Sequence, residues 1–421
     1  MDRKIISDII SNSDNTFDLT CEKDQNKLLL LADKLISFEH ISISEFNNLV
    51  DAESAPLMFR LAVKLVESRR LILNISTPLS VGVVFAMWGE HHRLNKKSKH
   101  NPNGENSLLT KIDQLNWITK GTNVSWTLYP VDDGCPHGSY TIAKKMVSQL
   151  SSESQIHIMK LSDAIPTTEG PLKNLVDVND SKKGGAIILG CQKALEDGVD
   201  CVVYTDADNS VHLGQIGLLL APYAEKKAEV VLGNRKHKDS ILVKQEERWG
   251  VGIKTLRHMQ RMIGVQIFSQ GIKDTQAAFK LYGQDALSDI LKAPTVYDFS
   301  FDTDWILAAM EKNKSITTVP FAFIDSAEES ASITQGPMTT WYTLLGGLVK
   351  AVRARNALHS NEMAAVFDKE VKSHKDLELI INTLPPELVN AEDHQLGDPN
   401  IMSPKALQRW FDKEKSKQAV V

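Results

Sequence analysis

The chain has 421 residues, of which 42% are hydrophobic and 24% charged, with a formal net charge of −5 and a pI near 6.2. That length supports two or three domains, or one large domain with additions, and the acidic balance argues against a nucleic-acid partner. The four cysteines (Cys21, Cys135, Cys191, Cys201) show no C-x-x-C spacing, which argues against a zinc site or disulfide framework and suits a reducing cytoplasm. The N-terminal stretch MDRKIISDIISNSDN has neither the apolar run nor the cleavage site of a signal peptide. The apolar stretch TLLGGLV falls far short of the ~20 residues that span a bilayer.

Residues 1–76 read as a helical region: PLMFRLAVKLVESRRL places Leu57, Leu61 and Leu65 at helical spacing, with Pro56 suited to a first turn. From about residue 77 the pattern changes. Short apolar runs rich in β-formers (SVGVVFAMW, VSWTLYPV, IHIMKL, DCVVYTD, AEVVLGNR) alternate with helical stretches such as KKGGAIILGCQKALEDG and HLGQIGLLLAPYAEKK. Strand–helix alternation predicts an α/β domain over 77–330 with a mostly parallel sheet flanked by helices. The polar insert at 95–106, NKKSKHNPNGEN, carries turn chemistry and reads as a surface loop whose lysines form a solvated face. Residues 331–421 read as helical again, ending in SPKALQRWFDKEK, where Ser403 can cap a helix that Pro404 opens.

In an open α/β sheet, ligands bind beyond the carboxyl ends of the parallel strands. Three predicted strands here end in acids: VGVVFAMW before Glu90, WTLYPV before Asp132 and Asp133, and CVVYT before Asp206 and Asp208. Residues i and i+2 of an extended chain point the same way, so Asp206 and Asp208 read as a seat for a hard divalent cation, Mg²⁺ or Mn²⁺, shared with a substrate phosphate. Asp132 or Asp133 suits hydrogen bonds from a base or ribose. Lys183-Gly184-Gly185 opens a helix, and a helix N-terminus with a lysine suits phosphate. Farther on stand Asp274, Gln276 and Lys280, then Asp302 and Asp304 at the start of an apolar helix. A carboxylate there suits a general base that takes a proton from an incoming hydroxyl.

In order, Glu90, VDDG (131–134), KGGA (183–186), TDAD (205–208), GNR (233–235), DTQAAFKLY (274–282) and FDTDWIL (301–307) resemble the motif series of family 2 glycosyltransferases with the GT-A fold. The subgroup most resembled is the dolichyl-phosphate or polyprenyl-phosphate β-glucosyltransferases. The resemblance covers about residues 79–330 and implies metal-dependent transfer of a sugar, with inversion, from a nucleotide-diphosphate sugar donor. It implies donor binding by Glu90, Asp132, Asp133, Lys183, Asp206, Arg235, Asp274 and Gln276, metal binding by Asp206 and Asp208, and catalysis by Asp302 with Asp304 next. Departures from that pattern are Ala86–Gly89 in place of Pro-x-Tyr-Asn, Lys182 in place of a glycine, Ala277-Ala278, and Trp305. The membrane anchor expected of many lipid-phosphate sugar transferases is absent as well. The acceptor stays open among a lipid phosphate, a glycan and a small metabolite, as does the oligomeric state.

Two rival readings follow from the same residues. A HAD-type phosphatase also uses D-x-D after an apolar strand, with the first aspartate as nucleophile. A non-catalytic nucleotide-sugar-binding protein would keep Asp206 and Asp208 and tolerate loss of Asp302. His212 is a further candidate for a metal or phosphate contact. The segment WYTLLGGLVKAVRAR, with Lys350, Arg353 and Arg355, either packs on its own domain or rests on an anionic membrane surface, which extends the expected cytoplasmic location to the inner face of a membrane.

Overall fold

The computed structural model describes residues 2–151, 153–243, 250–325 and 336–418. Its central sheet runs β3-β2-β1-β4-β7-β5-β8, built from β1 (Leu79–Met87), β2 (Val124–Asp132), β3 (Met159–Lys160), β4 (Cys201–Thr205), β5 (Val230–Gly233), β7 (Phe279–Gly283) and β8 (Ile316–Val319). All neighbours pair in parallel except β7, which runs antiparallel between β4 and β5. The expected α/β architecture is thus present, with one strand reversed. The IHIMKL strand shrinks to Met159–Lys160, joined by one bridge between Leu128 and Ile156.

Alternation along the strands divides two cores. Val81, Val83, Phe85 and Met87 of β1 face one apolar cluster, while Val84 joins Val202, Tyr204 and Tyr282 in the other. Helices α8 (Gly184–Glu196), α12 (Gln284–Leu291) and α13 (Phe301–Glu311) pack into the second cluster, with α8 lying over β1 and β2. The helix Pro337–Ala354 buries Leu345, Leu348, Val349, Ala351 and Val352 in that same cluster. Its apolar face therefore packs on its own domain, which is the first of the two readings of that segment. Among the described residues no helix is long and apolar enough to cross a membrane.

The N-terminal region forms four helices, α1 (Asp2–Ser11), α2 (Glu22–Ile36), α3 (Ile43–Ala52) and α4 (Leu57–Leu73). Their shared core also takes Ile241, Ala322 and Ile324 from the small parallel pair β6 (Ile241–Val243) and β9 (Ala322–Ile324). Helix α4 rides closely on α9 (Ile216–Ala224): the Gly217 N–H donates to Ser68 Oγ at 2.9 Å, and a Cβ at Gly217 would stand 2.1 Å from the Ser68 carbonyl oxygen. The 330/331 boundary expected from the sequence lies outside the described residues. At the C-terminus Ser403 Oγ accepts from the Ala406 N–H at 3.2 Å, the cap anticipated for a helix starting at Pro404.

Candidate functional site

Register brings the acidic strand ends together. Met87 lies opposite Asp132 and Val84 opposite Tyr204, so the chain leaves β1, β2 and β4 along one edge of the sheet. The Asp133 N–H donates to the Met87 carbonyl at 3.0 Å, tying the first two ends. Asp132 Oδ1 accepts from the Cys135 N–H at 3.1 Å and Oδ2 from the Tyr140 N–H at 3.2 Å, which fixes the turn after β2 and the start of α7 (Ser139–Val147).

Asp133 faces the other way, toward the turn before α8. It accepts from the Ser181 hydroxyl and from the Lys183 N–H at 2.5 Å, and burial pushes its carboxyl up to about 6 against those hydrogen bonds. The turn is strained. Lys182 and Lys183 have φ of 40° and 94°, a region that residues with side chains rarely adopt. Glycine follows because there is no room: a Cβ at Gly184 would lie 2.3 Å from the Tyr297 carbonyl oxygen. The turn aims the Lys183 ammonium at Asp206, with which it forms an ion pair. Burial raises the Asp206 carboxyl, but Lys183, with help from Lys111 and Arg235, outweighs burial and holds it below the usual carboxylate range.

Asp208 is held differently. The Lys111 ammonium, on α6 (Ser107–Thr119), donates to the Asp208 backbone carbonyl, and Asp208 Oδ1 accepts from the Ser210 N–H at 3.0 Å. Behind this loop Arg93 bridges Glu90 at 3.0 Å and Glu105 at 3.2 Å, and Glu105 accepts from the Asn209 N–H at 2.9 Å. Burial pushes the Glu90 carboxyl up to about 7 despite Arg93. The 95–106 segment is therefore more than a solvated loop. Lys96 and Lys97 pair at its surface with Glu22 and Asp18 at 3.1 and 3.0 Å, while its end, Glu105, is buried and braces the Asp206–Asp208 loop.

The third group lies over β7. Alternation places Lys280 on the same buried face as Tyr204 and Tyr282, and its ammonium sits 2.8 Å from Asp302 Oδ1 with both side chains almost wholly buried. Burial raises the Asp302 carboxyl, partly offset by Lys280 and Lys183. The neighbouring Asp274 is clasped by Arg235, whose Nε and Nη2 each donate at 2.8 Å while its backbone N–H donates at 2.9 Å. That pairing holds the Asp274 carboxyl well below the usual range against burial. Gln276 is half-buried beside it, its N–H 3.3 Å from Asp274 Oδ1.

Asp304 stands apart from these. Two residues on, it turns about 200° around the helix and faces away from Lys280. Arg355 Nε donates to it at 2.6 Å, and Thr295 supplies its N–H at 2.9 Å and its hydroxyl at 2.5 Å. His212 is half occupied, its Nε2 buried without a hydrogen-bond partner. Its Nδ1 accepts from the Gly214 N–H at 2.9 Å, and burial lowers its pKa to about 3, so the ring is neutral and turned to its own backbone.

The site thus joins Glu90, Asp132, Asp133, Lys183, Asp206, Asp208, Arg235, Asp274 and Asp302 along one edge. To these the structure adds Arg93, Glu105 and Lys111, which carry no motif, and gives Lys280 a carboxylate partner. Among the described residues no group of three or more His, Cys, Asp or Glu side chains is placed to hold a metal. Two carboxylates at one strand end nonetheless suit Mg²⁺ or Mn²⁺, which keep waters and take their remaining oxygens from a substrate diphosphate.

No known protein-family profile matches the chain. Over 143 residues it is 28% identical to an undecaprenyl-phosphate mannosyltransferase of Micrococcus luteus, a stretch covering 34% of this chain and 56% of that one. The resemblance to family 2 glycosyltransferases with the GT-A fold holds. The chain spans little more than half the length of this curated relative. Among solved structures it is similar to mannosyl-3-phosphoglycerate synthase from Rubrobacter xylanophilus, at 13% identity and TM-score 0.46 over 70% of this chain and 80% of that one. It is also similar to glucosyl-3-phosphoglycerate synthase from Mycobacterium tuberculosis in complex with Mn²⁺ and UDP-glucose, at 11% identity and TM-score 0.44 over 70% and 84% of the two chains.

Proposed function

We propose that this chain is an inverting glycosyltransferase that moves a sugar from a nucleotide-diphosphate donor to a hydroxyl or phosphate acceptor. The observation that carries the reading is the convergence of Asp206, Lys183 and the Asp302–Lys280 pair at the carboxyl end of β4. Asp206 and Asp208 would hold a divalent cation, which when bound supplies Lewis-acid stabilisation of the leaving diphosphate. Lys183 shifts between Asp206 and the donor phosphates, and Arg235, fixed in plane by Asp274, presents its outer edge to the same charge. Asp132 and Asp133, set between β2 and the α8 turn, line the nucleoside side with Glu90 behind them, and Gln276 completes the donor contacts.

Asp302 takes the acceptor proton. A base works best when its pKa is raised toward the working pH, and burial does this to Asp302 while Lys280 keeps the carboxylate oriented. Asp304, saturated by Arg355 and Thr295, serves the helix and not the transfer. The catalytic assignment therefore narrows to Asp302. The phosphatase alternative, with Asp206 as nucleophile, predicts hydrolysis of a simple phosphomonoester without any nucleotide sugar.

Thermal-shift measurement of the chain against nucleoside diphosphates and their sugars, with and without Mn²⁺, tests the class. Stabilisation by one nucleotide only when metal is present supports it and names the base. Stabilisation indifferent to metal, or hydrolysis of a simple phosphomonoester, overturns it.

A further inference from the structure

A cavity of about 480 Å³ opens between the turn at 170–174, the loop at 292–297 and the helix Pro337–Ala354. Its size lies in the range of small-molecule sites. Pro171, Pro294 and Tyr297 supply apolar walls, while Lys173, Lys292 and Lys350 supply three ammonium groups and no carboxylate lines the space. Lys292 is held by Asp289 at 2.6 Å. Among the described residues neither Lys173 nor Lys350 has an ion-pair partner, and both are exposed. Lys350 also lies within electrostatic reach of the half-buried Asp298, but with three ammonium groups and no carboxylate in its lining the mouth is positive in a chain whose overall charge is −5.

We infer that this cavity binds a compact organic anion, a phosphate or carboxylate on a small apolar body, separately from the nucleotide site. The apolar walls take the body and the lysine rim takes the charge, since an ammonium pairs with phosphate as a point charge. The separation rests on the 295–298 loop. On one side its Tyr297 carbonyl accepts the Gly185 N–H at 3.0 Å and so seats the turn that aims Lys183. On the other side the Tyr297 hydroxyl donates to the Pro171 carbonyl at 2.8 Å in the cavity wall, and Thr295 holds Asp304, which faces away from Asp302. An occupant would press on the loop that seats the Lys183 turn without reaching the transfer site, which is the position of an effector and not of a substrate.

The test is calorimetric titration of phenyl phosphate into the full chain, with inorganic phosphate and phenol titrated separately, and no nucleotide sugar present. Saturable binding of phenyl phosphate is expected, roughly tenfold tighter than either half alone. The Lys173→Glu, Lys350→Glu double variant should lose at least about tenfold in affinity with an unchanged melting temperature, because both side chains are exposed. Lys183→Ala should bind as the unaltered chain does. Absence of saturable binding, affinity unmoved by the double charge reversal, or affinity lost in Lys183→Ala would each overturn the inference. The last outcome would place the anion in the nucleotide site and leave the proposed transferase standing.

Discussion

Two layers over the same sheet use charge in opposite ways. Along the carboxyl edge, acids and bases interleave (Glu90 with Arg93, Asp206 with Lys183, Asp302 with Lys280, Asp274 with Arg235), and Asp206 and Lys183 keep about a third of their side-chain surface open to solvent. In the C-terminal helical layer, Asp304 and Arg355 close on each other with almost nothing exposed and every bond internal. One helix, α13, supplies both aspartates. Burial alone therefore does not mark a working carboxylate: Asp302 with Lys280 is as closed as Asp304 with Arg355, and what separates them is the neighbourhood, since Asp302 lies within electrostatic reach of Lys183 and Asp206.

Mutations that exchange the two fates sharpen this contrast. Asp302→Asn removes the proposed base and should lower kcat about 10³-fold, near 4 kcal/mol in barrier, while metal-dependent donor binding persists. Steady-state rates beside donor titrations check it, and full turnover in that variant would sink the base assignment. Asp304→Asn should do the reverse. It takes one carboxylate from Arg355, which keeps Glu311 and the Ala293 carbonyl, each at 3.0 Å, and should cost about 2 kcal/mol of stability in urea unfolding, with kcat per folded molecule unchanged.

The Glu90 side of the edge predicts a pH effect. Its carboxyl stands near 7 in the folded chain against an ordinary 4.5, so between those values the folded state binds more protons than the unfolded one. Glu90's contribution to stability is then fully present below pH 4.5 and lost as pH rises through 7, on the order of 3 kcal/mol. Denaturant unfolding of Glu90→Gln across that window should show a flatter pH dependence than the unaltered chain; an identical slope would mean that Glu90 does not carry the effect. The smallest change is expected for Lys96→Ala with Lys97→Ala. Those pairs to Glu22 and Asp18 are largely solvent-exposed, and their loss should move stability by less than about 1 kcal/mol.

The strand-end acids were legible because each ends a short apolar run whose period and β-formers mark a strand, and a parallel sheet gathers such ends on one edge. The reversed strand β7 was not legible: FKLY reads the same in either direction, and only pairing with both β4 and β5 orients it. Glu105 and Lys111 carried no signal because their partners, Asn209 and Asp208, lie about a hundred residues along the chain, and Arg93, though it pairs with nearby Glu90, gains its role only through the distant loop that Glu105 braces. Lys280 offered a weak one, a lysine at a position of β7 that alternation would bury. In FDTDWIL only the family resemblance ranked Asp302 ahead of Asp304, and the physical difference between them, Arg355 on Asp304, lies about fifty residues downstream.

The central claim is that Asp206 and Asp208 hold a cation for the donor diphosphate. It is tested most directly by titrating a nucleoside diphosphate, chosen from the thermal-shift screen, into the unaltered chain and into Asp206→Asn with Asp208→Asn, each with and without Mn²⁺. Binding strengthened by Mn²⁺ is expected in the first and no response to Mn²⁺ in the second. Equal Mn²⁺-dependent binding in both would contradict it.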